Sequence, residues 1–307
     1  MRIFVTGACG QLGYDVVNEL TARGHAAIAS DIAPQYAGIS DGSAVTRVPY
    51  VPLDITDEAR VAAVLGEARP DAVIHCAAWT AVDAAEDEGN REKVRAINAD
   101  GTRHIAKACR AQGCKMMYIS TDYVFDGQGE TPWQPDCTDY APLSVYGETK
   151  LAGELTVREL VEKYFIVRIA WAFGLSGKNF IKTMLALSEK YDALRVVCDQ
   201  IGTPTYTLDL ARLLVDMIET DKYGVYHATN EGGYISWADF AKEIFRQAGR
   251  STKVMPVTTA EYGMSKAARP MNSRLDKSKL VENGFAPLPD WRDALGRYLE
   301  TLDERRG

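Results

Sequence analysis

Residues 2 to 13, RIFVTGACGQLG, decide the architecture. A short apolar run ends in glycine, and Gln11 to Arg23 then carries Leu12, Val16, Val17 and Leu20 at helical spacing up to Gly24. Gly7, Gly10 and Gly13 therefore fall in a turn between a strand and a helix. Glycine there tolerates positive φ, lets backbone approach a diphosphate, and lets strand and helix pack closely, while the helix N-terminus offers free N–H groups to phosphate oxygens. A glycine triplet alone is a weak signal, but here it has its context. The second strand, AAIAS, closes at Asp31, 18 residues beyond Gly13, near the ~20 expected for a carboxylate that binds a cofactor ribose. The residues thus predict a dinucleotide site built from Gly7, Gly10, Gln11, Leu12, Gly13 and Asp31.

Outward from that loop, the pattern alternates. Strand-like VPYVPLD, DAVIHCAA, KMMYIST and YFIVRIAWAF are separated by helical stretches, DEARVAAVLGEA among them, as far as residue 174. Such alternation implies an α/β fold with a doubly wound parallel sheet, Rossmann-like, over residues 1–174. Beyond it the pattern loosens into a smaller C-terminal lobe, residues 175–307, with the chain expected to re-enter the first domain near 199–228. Residues 33–50 form a link longer than usual. It reads as a mobile surface loop, with a structural device beside the cofactor as the other reading.

The chain has 307 residues, 46% apolar and 25% charged, and a net charge of −7. An acidic chain of this kind argues against nucleic acid or an anionic membrane as its main partner. No apolar run reaches the ~20 residues of a membrane span, and MRIFVTGACG does not read as a signal peptide. The six cysteines show no Cys-x-x-Cys pair, and the four histidines no i, i+4 pair. Free thiols in a cytoplasmic protein, with no metal site, are expected.

Tyr-x-x-x-Lys occurs twice, at Tyr146/Lys150 and Tyr262/Lys266. Four residues apart on a helix, a lysine can tune a tyrosine acid. Tyr146 lies 25 residues after Thr121, which ends the fifth strand, and ligand sites in such sheets gather at the carboxyl ends of strands. Tyr262 follows no assigned strand end. Tyr146 and Lys150 are therefore the chemical pair.

The G-x-x-G-x-x-G spacing resembles the extended short-chain dehydrogenase/reductases. CAAWTAVDAAE, STDYVFDGQGETPW, APLSVYGETKLAGE, DQIGTPT and RPMNSRLD resemble, more narrowly, the dTDP-4-dehydrorhamnose reductase family, nearly end to end. The resemblance implies reduction of the C4 ketone of a dTDP-4-keto-6-deoxyhexose with NADPH or NADH. It makes Thr121, Tyr146 and Lys150 the catalytic trio. It assigns Gly10, Gln11 and Leu12 to the diphosphate, Asp54 and Ile55 to the adenine, and Ala77, Ala78, Trp79 and Thr80, with Asn98, to the nicotinamide ribose that Lys150 also holds. Thr121, Asp122, Trp171, Asn179 and Arg274 would face the sugar nucleotide in the smaller lobe.

Two departures qualify this. Arg47, within the long 33–50 link, could reach a 2′-phosphate and leaves NADH versus NADPH open. Some relatives hold an interfacial Mg2+ through glutamates; Asp15 stands at one such position, which weakens the expectation of that ion and leaves monomer and homodimer both open. Two rivals remain: a sugar-nucleotide dehydratase or epimerase, and a non-catalytic regulatory subunit similar to the methionine adenosyltransferase β subunit. Related dehydratases carry Asp-Glu after the strand-ending threonine, whereas this chain has Asp122-Tyr123.

Overall fold

The computed structural model describes residues 1–305. Seven parallel strands form one sheet: β1 (Arg2–Thr6), β2 (Ala26–Asp31), β3 (Tyr50–Pro52), β4 (Ala72–His75), β5 (Lys115–Thr121), β6 (Tyr164–Ile169) and β7 (Gly224–His227), in spatial order β7-β6-β5-β4-β1-β2-β3. The order reverses between β1 and β4, and a crevice opens there at the carboxyl ends. Both faces of the sheet are covered, so its strands are apolar throughout rather than alternating with polar residues. Ile3 and Val5 point into one core and Phe4 into the other, all three without solvent exposure.

On the first face, α1 (Gln11–Ala22) packs beside a helix from much later in the chain. On the second lie α2 (Glu58–Ala68), α3 (Thr102–Gln112) and α4 (Val145–Leu160). The late helix beside α1 is Thr207–Ile218; with β7 it completes the sheet layer after the chain has visited the smaller lobe. That lobe is built by α5 (Phe180–Ser188), α7 (Trp237–Gln247) and α8 (Trp291–Glu304), while the Thr207–Ile218 helix (α6) stays in the sheet layer; the lobe has a separate core around Phe173, Phe240, Trp291 and Tyr298.

The long helical pattern before β5 is interrupted. Arg91–Arg95 is α-helical, Ala96–Gly101 is a π-helical turn, and α3 follows. Such insertions often mark functional regions, and this one swings Asn98 inward.

The 33–50 segment corrects the expectation of a mobile loop. Val45 is buried, and its N–H donates to Asn18 Oδ1 at 2.9 Å. Tyr14 donates its hydroxyl to Asp41 at 2.6 Å. Tyr36, Ile39 and Val48 pack on the same core, so apolar side chains spaced along the link hold it against α1. Among the described residues no helix is long and apolar enough to cross a membrane, and all six cysteines are free.

Candidate active site

A cleft of about 750 Å³ runs across the crevice and into the smaller lobe. At one end lies the glycine turn. Gly7 has φ +70°, and a Cβ there would stand 2.7 Å from the Ala77 nitrogen; one at Gly13 would stand 2.1 Å from the Gly7 carbonyl oxygen. Both positions exclude any other residue. Gly10 caps α1 with no side-chain acceptor and no acid occupies the first turn, so the positive end of the helix is left to the cleft. Gln11 and Leu12 line the cleft beside it. Gln11 Oε1 accepts from the Gly174 amide at 2.8 Å, which bolts the turn to the loop after β6.

Asp31 lines the same end. Its Oδ2 accepts the Cys9 amide at 2.9 Å and its Oδ1 the Ile32 amide at 2.8 Å. Asp54 and Ile55 form the neighbouring wall, and Ala77, Ala78 and Thr80 continue it along the end of β4. This set suits a dinucleotide: a glycine turn and uncapped helix end for phosphates, a carboxylate for ribose hydroxyls, and an apolar wall for a ring.

At the other end, Ser144 caps α4 by accepting the Gly147 amide at 3.2 Å, and Tyr146 and Lys150 follow one turn apart in the cleft wall. Thr121, ending β5, faces them and donates to Asp122 Oδ1 at 3.0 Å. Asp122 is buried, its Oδ2 has no hydrogen-bond partner, and burial raises its carboxyl to about 6, with the neighbouring Ser273 and Thr121 hydroxyls pulling the other way.

Lys150, expected to tune Tyr146 and to hold the nicotinamide ribose, is engaged by β5. Its ammonium donates to the Ile119 carbonyl at 2.6 Å and sits 4.1 Å from the Tyr118 ring centroid. Burial lowers it to about 7, opposed by the Glu154 carboxylate. Burial also raises the Tyr146 phenol, with Thr121 pulling the other way. In the protein alone, desolvation sets the direction at both groups.

The remaining expected residues separate. Trp171 lines the cleft at φ +50°, unusual for a bulky side chain, and stacks on Trp237 at 3.8 Å. Gly202 leaves room for this, since a Cβ there would stand 3.0 Å from the indole. Asn98, Trp79, Asn179, Arg274 and Arg47 are not among the lining residues. Asn98 is a bracket: it accepts the Trp79 amide at 2.8 Å and donates to the Trp79 carbonyl and the Thr149 hydroxyl at 3.2 Å. The Trp79 indole donates to the Ala81 carbonyl at 3.0 Å. Asn179 caps α5 and shares its two amide protons among Gln11, Gly174 and Tyr298. Arg274 donates to Asn272 at 3.0 Å. Arg47 is exposed at the end of a short 3-10 turn. Tyr262 ends a short helix and Lys266 pairs with Asp87, both away from the cleft.

Sequence reasoning missed Trp237, Tyr123 and Lys178, all on the lining. Tyr123 accepts from Arg269 at 3.1 Å and meets the Tyr146 ring edge-on at 5.5 Å, a second contact that no local pattern announces.

The Mg2+ expectation does not fit Asp15. Its side chain is buried beneath α1, accepts the Thr207 hydroxyl, and burial raises it to about 7, so it cannot face a partner as an interfacial ligand. No group of three or more acidic, histidine or cysteine side chains able to hold a metal occurs among the described residues.

Fold and cleft define the class: a doubly wound α/β protein with a glycine turn and a Tyr/Lys pair facing one crevice, as in the extended short-chain dehydrogenase/reductases. Within it the particular family is clear. The model of the RmlD substrate binding domain matches residues 1–304, and the chain belongs to that family. It is 40% identical to a dTDP-4-dehydrorhamnose reductase of Streptomyces griseus, covering 100% of this chain and 95% of the relative. A dTDP-4-dehydrorhamnose reductase structure from Clostridium acetobutylicum is 40% identical with TM-score 0.88, covering 99% of this chain and 100% of that one. Another from Bacillus anthracis, in complex with NADP, is 40% identical with TM-score 0.86, covering 98% and 99%.

Proposed function

We propose that the protein is a sugar-nucleotide 4-ketoreductase that reduces dTDP-4-dehydrorhamnose to dTDP-L-rhamnose. The observation that carries this is one cleft holding the glycine turn at one end and Thr121, Tyr146 and Lys150 at the other, in a chain whose relatives are named as that reductase. Those names favour it over the dehydratase, epimerase and regulatory-subunit readings.

Residues 1–174 with the returning segment 207–228 hold the cofactor, and the smaller lobe brings Trp237 to the substrate end. A reduced nicotinamide supplies the hydride. The protein's own residues do the rest. Tyr146 gives its phenolic proton to the oxygen that gains charge, and Thr121, turning its hydroxyl away from Asp122, donates to that oxygen. Lys150 exchanges the Ile119 carbonyl for a ribose hydroxyl and, so placed, favours the phenolate that remains. Asp122, with an oxygen to spare, accepts a sugar hydroxyl. Trp171 and Trp237 exclude water. Asp31 supports NADH; the relative solved with NADP supports NADPH.

The test is direct. Purified protein mixed with dTDP-4-keto-6-deoxyhexoses should consume NADH or NADPH absorbance in step with ketone loss. No consumption with any of these ketones would refute the reading.

A further inference from the structure

Tyr118 makes two contacts with Lys150. Its hydroxyl donates to the Lys150 carbonyl at 3.2 Å, and its ring lies under the Lys150 ammonium at 4.1 Å. The helix leaves space for this, because a Cβ at Gly153 would come within 2.4 Å of the Tyr118 hydroxyl. The ring also stacks on His75, with centroids 5.8 Å apart. His75 contacts Thr6 at 2.7 Å and Thr102 at 3.2 Å through its two nitrogens, and burial lowers it to about 3, so it stays neutral and adds no charge against the ammonium.

We propose that Tyr118 is a positioning residue for Lys150, whose ring face keeps the buried ammonium charged and aimed at the cleft before any ligand arrives. This rests on the reading of Lys150 as a member of the reacting set. The physics is that of a desolvated cation over an aromatic face, worth more here than at a surface. An ammonium offers three donors, and only Ile119 takes one as a hydrogen bond among the described residues. The ring therefore supplies the attraction that water would give elsewhere. The other groups that face Lys150 are Glu154 one turn along α4, already paired with Arg168 of β6, Cys76 and His75 at the end of β4, and Tyr146 on its own helix. Of these Glu154 supplies the charge that opposes burial at Lys150, and it is unchanged across the ring variants below.

The test titrates Lys150 in the protein without cofactor or substrate, by NMR of 13C-lysine Cε, assigned by its loss in Lys150→Met. Residue 118 is tyrosine, phenylalanine, or phenylalanine bearing increasing numbers of ring fluorines, which weaken the face while keeping the shape. Tyr118→Phe should titrate within a few tenths of a pH unit of the parent, and the midpoint should fall stepwise with fluorination, by about one pH unit in all. A midpoint that stays constant across the fluorinated series overturns the proposal. So does a fall in Tyr118→Phe as large as in the fluorinated proteins, since that would assign the effect to the hydroxyl. The near-isosteric rings preserve packing, and Tm measured beside each titration checks it. Because no ketone or cofactor is used, the result stands apart from whether the protein turns over dTDP-4-dehydrorhamnose.

Discussion

Arg168 on β6 and Glu154 on α4 form a bidentate pair, Nε to Oε1 at 2.8 Å and Nη2 to Oε2 at 2.7 Å, with neither side chain reaching solvent. The pair fastens the helix that carries Tyr146 and Lys150 to the sheet from which Thr121 projects. The Arg168 guanidinium also donates to the Pro135 carbonyl and the Tyr140 hydroxyl and faces the ring of Phe125 at 5.0 Å.

Breaking such a pair leaves an uncompensated charge in the interior. Glu154→Gln should lower stability by about 3–5 kcal/mol, because Arg168 stays buried with one partner lost. Urea denaturation checks it, and a loss under 1 kcal/mol would show that the interior is wetter than the geometry implies.

Tyr146→Phe keeps the ring and its edge contact with Tyr123, so cofactor affinity should hold. Steady-state kinetics should show kcat reduced roughly 10²–10⁴-fold, the usual worth of a positioned acid. Tyr262→Phe, at the other Tyr-x-x-x-Lys match, should stay within a few-fold of the parent. Normal turnover in the first and a dead second would place the site in the wrong lobe.

Asp31 spends one lone pair of each oxygen on a backbone amide and keeps the rest for the cleft. A 2′-hydroxyl can donate there, whereas a 2′-phosphate is repelled. Asp31→Ala should weaken NADH more than NADPH in fluorescence titrations. Equal losses for both would remove the carboxylate from cofactor selection.

Asp15, raised to about 7 by burial, gives a pH signature. Between the unfolded carboxyl value of ~3.9 and the folded one, the native state binds more protons, so this residue's contribution falls as pH rises through about 7. Asp15→Asn removes that dependence. Compared with the parent, it should gain stability on going from pH 5 to pH 8, by up to roughly 2.5 kcal/mol. Thermal denaturation at both values would contradict this if the difference between the two proteins were constant.

Local patterns determined much of this protein. A strand, a glycine turn and a helix are dictated over a dozen residues by backbone freedom and apolar spacing, and the same rules place β1 to β6. Proximity of Tyr146 to Lys150 follows from helix geometry alone. The choice between the two Tyr-x-x-x-Lys matches also follows from the sequence, because only one comes after a strand end. What the tertiary structure decided concerns partners distant along the chain. Asn179 and Arg274 are polar residues in a plausible phrase, yet Asn179 caps a helix with its oxygen and gives its amide to Gln11, Gly174 and Tyr298, while Arg274 donates to Asn272. Asn98 became a bracket because a π turn points it at the Trp79 backbone. Trp237 reaches the cleft by stacking on Trp171, 66 positions earlier. Lys150's surroundings, the Ile119 carbonyl and the Tyr118 face, come from β5, 31 and 32 positions before it. Periodicity encodes which face a residue takes on its own element; desolvation and the identity of the facing group depend on how elements pack, and no local spacing carries that.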